Sequence, residues 1–141
     1  MGDFDIQGLK KIEAFSRELS DLQKLFPKEA KALMRRSGTK ARAIVARRAR
    51  TSVKKKKGNY FRSIKRGKVW VDASSGEYKI RVYSRAPHAH LIEKGHRIVD
   101  KNGKEHGFQK GYFVFDKAAA EINNQWTSIL EEEFHKIMSK L

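Results

Sequence analysis

Tyr78-Lys79-Ile80-Arg81-Val82-Tyr83 runs directly into Ser84-Arg85-Ala86-Pro87-His88-Ala89-His90-Leu91-Ile92-Glu93-Lys94-Gly95-His96, and this stretch decides the fold. The first six residues alternate, with Ile80 and Val82 on one face, as a half-buried strand requires. Pro87 fixes φ and removes a backbone donor, so the strand must stop there or run as an edge. Gly95 permits the positive φ that closes a short turn. Between them Ala89, Leu91 and Ile92 form one apolar helical turn.

Upstream of this stretch the period stays at two. Val69 and Val71 alternate with Trp70 and Asp72, and Ser74-Ser75-Gly76-Glu77 supplies a hairpin turn into Tyr78. Downstream, Arg97-Ile98-Val99 and Gly107-Phe108 flank the polar loop 100–106, whose Asn102-Gly103 pair marks a tight turn; this loop is expected to be exposed and mobile.

Further out the period becomes helical. Leu9, Ile12, Phe15 or Ser16, Leu19, Leu22 and Phe26 mark an amphipathic helix over roughly residues 6–25. Pro27 opens a second helix, carried through Ser52 by Ala30, Leu33, Met34, Ala41, Ile44, Val45 and Ala49, with a kink or break expected at Ser37-Gly38. A last helix runs from about Asp116 to Lys140, with Asp116 as its N-cap and Ala119, Ile122, Trp126, Ile129 or Leu130, Phe134, Ile137 and Leu141 on its stripe.

The expected fold class is therefore α+β: two N-terminal helices, a small antiparallel β-sheet, and a long C-terminal helix packed on the sheet. We expect one domain over residues 1–141, helical over 1–53, a basic loop at 54–58, sheet with loops over 59–115, and the C-terminal helix over 116–141. No internal repeat appears.

The charge is unevenly spread. Residues 31–68 hold 16 of the 32 Lys and Arg residues and no Asp or Glu, so the entire net charge of +16 comes from this segment. Such a block favours polyanions such as DNA, RNA or an acidic protein face. Lys54, Lys55, Lys56 and Lys57, four adjacent cations before Gly58, read as a loop, with Arg47, Arg48 and Arg50 on the helix before it; these are the candidate DNA-facing residues. The bland alternative is a solvated helix face beside a flexible loop.

The chain has no cysteine, which excludes disulfides and thiolate metal sites and fits a reducing compartment. Met1-Gly2-Asp3-Phe4-Asp5 has neither the basic nor the apolar region of a secretory signal, and no run reaches the ~20 apolar residues of a membrane span. Ile6 stands where a myristoylation signal needs Ser or Thr.

Catalytic patterns are sparse. His88, His90, Glu93 and His96 gather imidazoles and a carboxylate within nine residues, yet match no metal spacing, and exposed or hydrogen-bonded histidines are the plainer reading. Asp72 with Glu77 and Lys79 echoes the carboxylate and lysine set of metal-dependent nucleases, but one hairpin turn is too short to bring Asp72 reliably beside the other two. No nucleotide-binding loop, nucleophile elbow or zinc-protease motif is present. The sequence reads as a non-enzyme with no cofactor and no metal. Trp70, Trp126, Phe61, Tyr112, Phe113 and Phe115 read as core or interface residues rather than base-stacking platforms.

The strand, the Ala86-Pro87-x-Ala89 turn and Glu93-x-Gly95 resemble the tail-completion, or head-to-tail joining, family of long-tailed bacteriophages. Gly58-Asn59-Tyr60-Phe61-Arg62-Ser63-Ile64 resembles its Gly-(Asn/Asp)-aromatic/Leu-x-x-Ser-Ile segment, which opens the sheet after a long helix. Phe108 to Ala119 resembles its last strand leading into the closing helix, so the resemblance covers roughly residues 55–120. Two departures stand out: the family often has an aromatic at His88 and Ser or Thr at His96, so neither histidine inherits a role.

The resemblance implies a virion structural protein at the neck that works as a ring of identical subunits between the head connector and the tail-tube or tail-terminator proteins. It implies assembly in the host cytoplasm and no membrane partner. Pro87, Ala89, Glu93 and Gly95 are its motif residues, with Glu93 accepting hydrogen bonds from backbone or from Arg85 or Arg97. A cationic segment near the lumen would meet genomic DNA without reading its sequence. The loops around 54–58 and 100–106 would order on docking. The competing reading is a stand-alone basic nucleic-acid-binding protein.

Overall fold

The computed structural model describes residues 6–53 and 58–141, the side chains of 6–13 excepted. Lys54 to Lys57, and the side chains of Leu9 and Ile12 in the first helical stripe, lie outside the described residues. Helices α1 (Ile6–Leu25) and α2 (Pro27–Ser52) are joined at Phe26, and α5 (Val114–Met138) closes the chain. Between them stand α3 (Gly58–Ser63), β1 (Ile64–Arg66), β2 (Trp70–Val71), β3 (Tyr78–Lys79), β4 (Val82–Ser84), α4 (Ala89–Lys94), β5 (Gly95–Val99) and β6 (Glu105–Lys110). The class is α+β.

Two apolar clusters hold the helices together. Ile44, Val45, Ala49, Val53, Tyr60, Ile64, Val114, Ala118 and Ile129 form the first, with Phe61, Val82, Tyr112, Phe115 and Trp126 packed against it. The C-terminal helix thus meets α2 and, through Val114 and Ala118, the inner side of β1 and β4. Leu22, Leu33, Leu130, Phe134 and Ile137 centre the second, where Phe15 meets Phe134 edge to face at 5.6 Å. Fully buried Leu33 and Ile64 are each worth about 1.5–3 kcal/mol of burial.

The strands do not form one sheet. They make three two-stranded antiparallel ladders, β1–β4, β2–β3 and β5–β6. The expected continuous strand from Tyr78 to Tyr83 changes partner partway. Lys65 faces Tyr83 and Gly67 N–H donates to the Arg81 carbonyl, while Trp70 faces Lys79. One arm therefore takes one more residue than the other to pass between the ladders, which is how a bulge interrupts pairing and adds twist.

Ile80 occupies this break and turns toward α2, where a Cβ built on Gly38 would lie 2.7 Å from its Cδ1. The break expected at Ser37-Gly38 is absent, since α2 runs unbroken through both residues. Gly38 serves close approach instead: the missing side chain lets Ile80 sit against the helix. The segment expected to open the sheet, Gly58 to Ser63, is helical, and the strand begins only at Ile64.

Candidate functional site

The turn read from sequence is a clasp. Ala89–Lys94 forms the short helix α4, which ends where Gly95 takes φ 92°. The chain then returns through β6 so that residues 109–113 lie against 92–95. Tyr112 N–H donates to the Ile92 carbonyl at 2.9 Å and Phe113 N–H to the Glu93 carbonyl at 3.0 Å. Glycine is required at this crossing, because a Cβ on Gly95 would sit 2.5 Å from the Gln109 carbonyl oxygen and 2.7 Å from the Gly111 nitrogen.

Glu93 completes the clasp. Its Oε1 accepts the Phe115 N–H at 3.0 Å and its Oε2 the Asp116 N–H at 3.1 Å. These are among the orphan donors of the first turn of α5, so a carboxylate from another element caps that helix and meets the positive end of its dipole. The expected cap, Asp116, lies inside the first turn of α5; Phe113 occupies the cap position in left-handed conformation at φ 49° and gives no side-chain bond. Arg97 pairs with Glu105 instead of Glu93, and Arg85 lies over the Tyr83 ring.

Ala89 is half-buried against the first apolar cluster, while Pro87 is exposed beside a cavity of about 570 Å³, lined also by Tyr60, Leu91, Ile92, His96 and Tyr112. Tyr60 is only 3% exposed and its hydroxyl has no partner among the described residues. Burial first, and the Glu93 charge second, push the phenol up to about 12.

His88 and His90 are exposed at the start of α4, and His96 Nδ1 lies 3.0 Å from the Arg97 carbonyl. Among the described residues no three His, Asp or Glu groups converge as metal ligands would. The hairpin turn does bring Asp72 to Lys79, at 2.8 Å, but as a structural pair: Asp72 Oδ1 also accepts the Ser74 N–H and hydroxyl. The Lys79 and Ser74 bonds hold the Asp72 carboxyl well below the usual carboxylate range, so their contribution is present above that range and fades as pH falls toward the lowered value.

Much of the basic block on α2 is tied inward. Arg47 and Arg48 reach Glu121 of α5 at 3.2 and 3.3 Å, Lys40 reaches Glu132 and Glu133 at 3.1 Å, and Arg42 Nε donates to the Ile64 carbonyl at 2.9 Å. Glu133 is buried, and burying a charge demands such partners. Lys31, Arg35, Arg36 and Arg50 stay exposed with no carboxylate partner among the described residues, and Arg47 is exposed despite its pairing. Two cations outside the block, Arg81 and Arg85, flank Tyr83 on the outer face of β4; their alternate spacing along the strand was the signal for them in the sequence.

Uncovered apolar surface lies at both ends. On the β5–β6 hairpin Ile98, Val99 and Phe108 are exposed, and Leu25, Phe26, Met138 and Leu141 are exposed where α1 and α5 end. Trp70 and Phe113 are also exposed, whereas Phe61, Tyr112, Phe115 and Trp126 pack on the core. No helix among the described residues is long and apolar enough to cross a membrane.

A family model described as "Bacteriophage HK97-gp10, putative tail-component" matches residues 13–95, more than half of the chain. The match takes in α2 and all but the first seven residues of α1, and ends at Gly95, short of the Phe108 to Ala119 segment. No curated protein matches, and no solved structure matches.

Proposed function

Because the chain belongs to the HK97-gp10-like tail-component family of bacteriophages, we propose that it is a virion structural protein acting at the neck. In this reading it completes the upper end of the tail or joins it to the head connector, as a ring of identical subunits. Its neighbours are further copies of itself, the head-connector proteins and the tail-tube or tail-terminator proteins. It assembles in the host cytoplasm and stays in the virion, and it needs neither cofactor nor chemistry.

The observation that carries this reading is the β5–β6 hairpin. All its strand residues except Gly95 and Gln109 are exposed, Ile98, Val99 and Phe108 among them. A two-stranded hairpin is marginal by itself in water, and apolar residues grouped on an open hairpin call for a partner surface. A neighbouring subunit in a ring supplies one. The net charge of +16 favours the second reading, a stand-alone nucleic-acid-binding protein, although within a neck the same excess would face the passing genome.

Deleting the gene from the phage separates the two. Electron microscopy of the lysate should show DNA-filled heads and finished tails that fail to join, or tails with an incomplete upper end. Normal infectious particles would contradict the neck role.

A further inference from the structure

We propose that the outer face of the β1–β4 ladder, Lys65, Arg81, Tyr83 and Arg85 with Arg62 of α3 beside it, is a binding site for the phosphate backbone of duplex DNA. It is distinct from Lys54 to Lys57 and from the arginines of α2. Lys65 stands directly opposite Tyr83 in the ladder, and Arg81 and Arg85, one residue beyond either end of β4, both bring their guanidiniums to the Tyr83 ring, so all four share one face. Ile64 and Val82, at the alternate positions, face the core.

The two guanidiniums are held in place. The Arg81 Cζ lies 4.5 Å and the Arg85 Cζ 5.0 Å from the Tyr83 ring centre, one cation from each direction along the strand. Gly67 leaves room for this arrangement, since a Cβ there would touch Arg81 Cγ at 3.3 Å and the tyrosine ring at 3.4 Å. The adjoining surface cleft, about 470 Å³, is lined by Asn59, Arg62, Ser63, Lys65, Tyr83 and Arg85, with Ala86 and Pro87 at its end and no carboxylate.

What sets this face apart is order, not the lack of a partner alone. Lys40, Arg47 and Arg48 meet carboxylates of α5, whereas none of Arg62, Lys65, Arg81 or Arg85 does among the described residues; Arg35, Arg36 and Arg50 of α2 are likewise without one, but no aromatic ring among the described residues seats them as Tyr83 seats Arg81 and Arg85. Cations left unpaired, ordered by an aromatic ring and set in a row along a strand fit a rod of repeated phosphates better than one enclosed anion. Both guanidiniums lie over the Tyr83 ring, so the face offers charge rather than a bare base-stacking platform. The face would read no sequence. That the natural ligand is the phage genome rests on the neck reading; the site itself does not.

The test compares matched losses of charge in the full chain, using fluorescently labelled duplexes of two unrelated sequences over a salt series. Arg81→Gln with Arg85→Gln should weaken both duplexes about tenfold and lower the salt slope by roughly 2, at about 0.9 for each phosphate contact. Arg47→Gln with Arg48→Gln removes the same charge and should change the slope little. Tyr83→Leu, which keeps every charge, should also weaken binding because the guanidiniums lose their seat. Should the double variant melt early, Lys65→Gln alone should still lower the slope by about 0.9.

Inorganic phosphate should displace the duplex only in large excess, and poly-glutamate should bind no more tightly than DNA. Equal losses from the two arginine pairs would overturn the site, as would a clear preference for poly-glutamate, which would identify an acidic protein partner. These results are independent of the deletion phenotype, so the site and the neck role can fail separately.

Discussion

Gly95→Val should lower the melting temperature by on the order of 10 °C, corresponding to about 4 kcal/mol for a chain of this size. Two costs add. Gly95 has φ 92°, which a β-branched residue resists, at about 1–3 kcal/mol. Its new Cβ would also press on backbone atoms of residues 109 and 111, and backbone cannot swing aside as a side chain can. Gly95→Ala should retain much of the loss, since the clash begins at Cβ. Pro87→Ala, at an exposed position, should cost under about 1 kcal/mol. A Gly95→Val protein that melts like wild type would show that the crossing of 95 over 109–111 is not required.

Glu93→Ala should cost about 2–3 kcal/mol, more than a surface carboxylate normally contributes, because two N–H groups at the start of α5 lose a charged acceptor. Glu93→Gln should recover part of this by accepting with its remaining oxygen. A second readout distinguishes loss of charge from loss of shape. The Tyr60 phenol, pushed up to about 12 by burial and by Glu93, contributes stability fully below pH ~10 and loses it as pH rises toward that value. In Glu93→Gln the ultraviolet titration of this tyrosine should move down, with burial still keeping it above the free value. An unmoved titration together with an unmoved melt would remove Glu93 from the clasp.

The long elements were legible because each is governed by its own periodicity. The stripes at Leu19 and Leu22, at Leu33, Ile44 and Val45, and at Ile129 and Phe134 fix α1, α2 and α5 without reference to anything distant. The breaks were not. Where Tyr78 to Tyr83 changes partner depends on one extra residue in the opposite arm and on Ile80 finding room at Gly38, a contact between distant parts of the chain. The same glycine read as a kink because its helix-weakening effect is local, while its use is tertiary.

The site shows a similar division. Pro87 and Gly95 could be read as punctuation from their own chemistry, but the cap on α5 comes from Glu93, over twenty residues upstream of the amides it holds. Counting charge located the excess in residues 31–68 without saying which cations were engaged. Glu121, Glu132 and Glu133 take up Lys40, Arg47 and Arg48, leaving open the less conspicuous row on β4. Net charge is a property of composition; free charge is a property of the fold.

The number of copies per purified virion, with their position, tests the central claim most directly. Quantitative mass spectrometry against the tail-tube protein, with cryo-electron microscopy of the neck, should find a small fixed number of copies forming one ring at the upper end of the tail. Particles without the protein, or with an amount that varies and washes away at high salt, would contradict the neck role and favour a free nucleic-acid-binding protein.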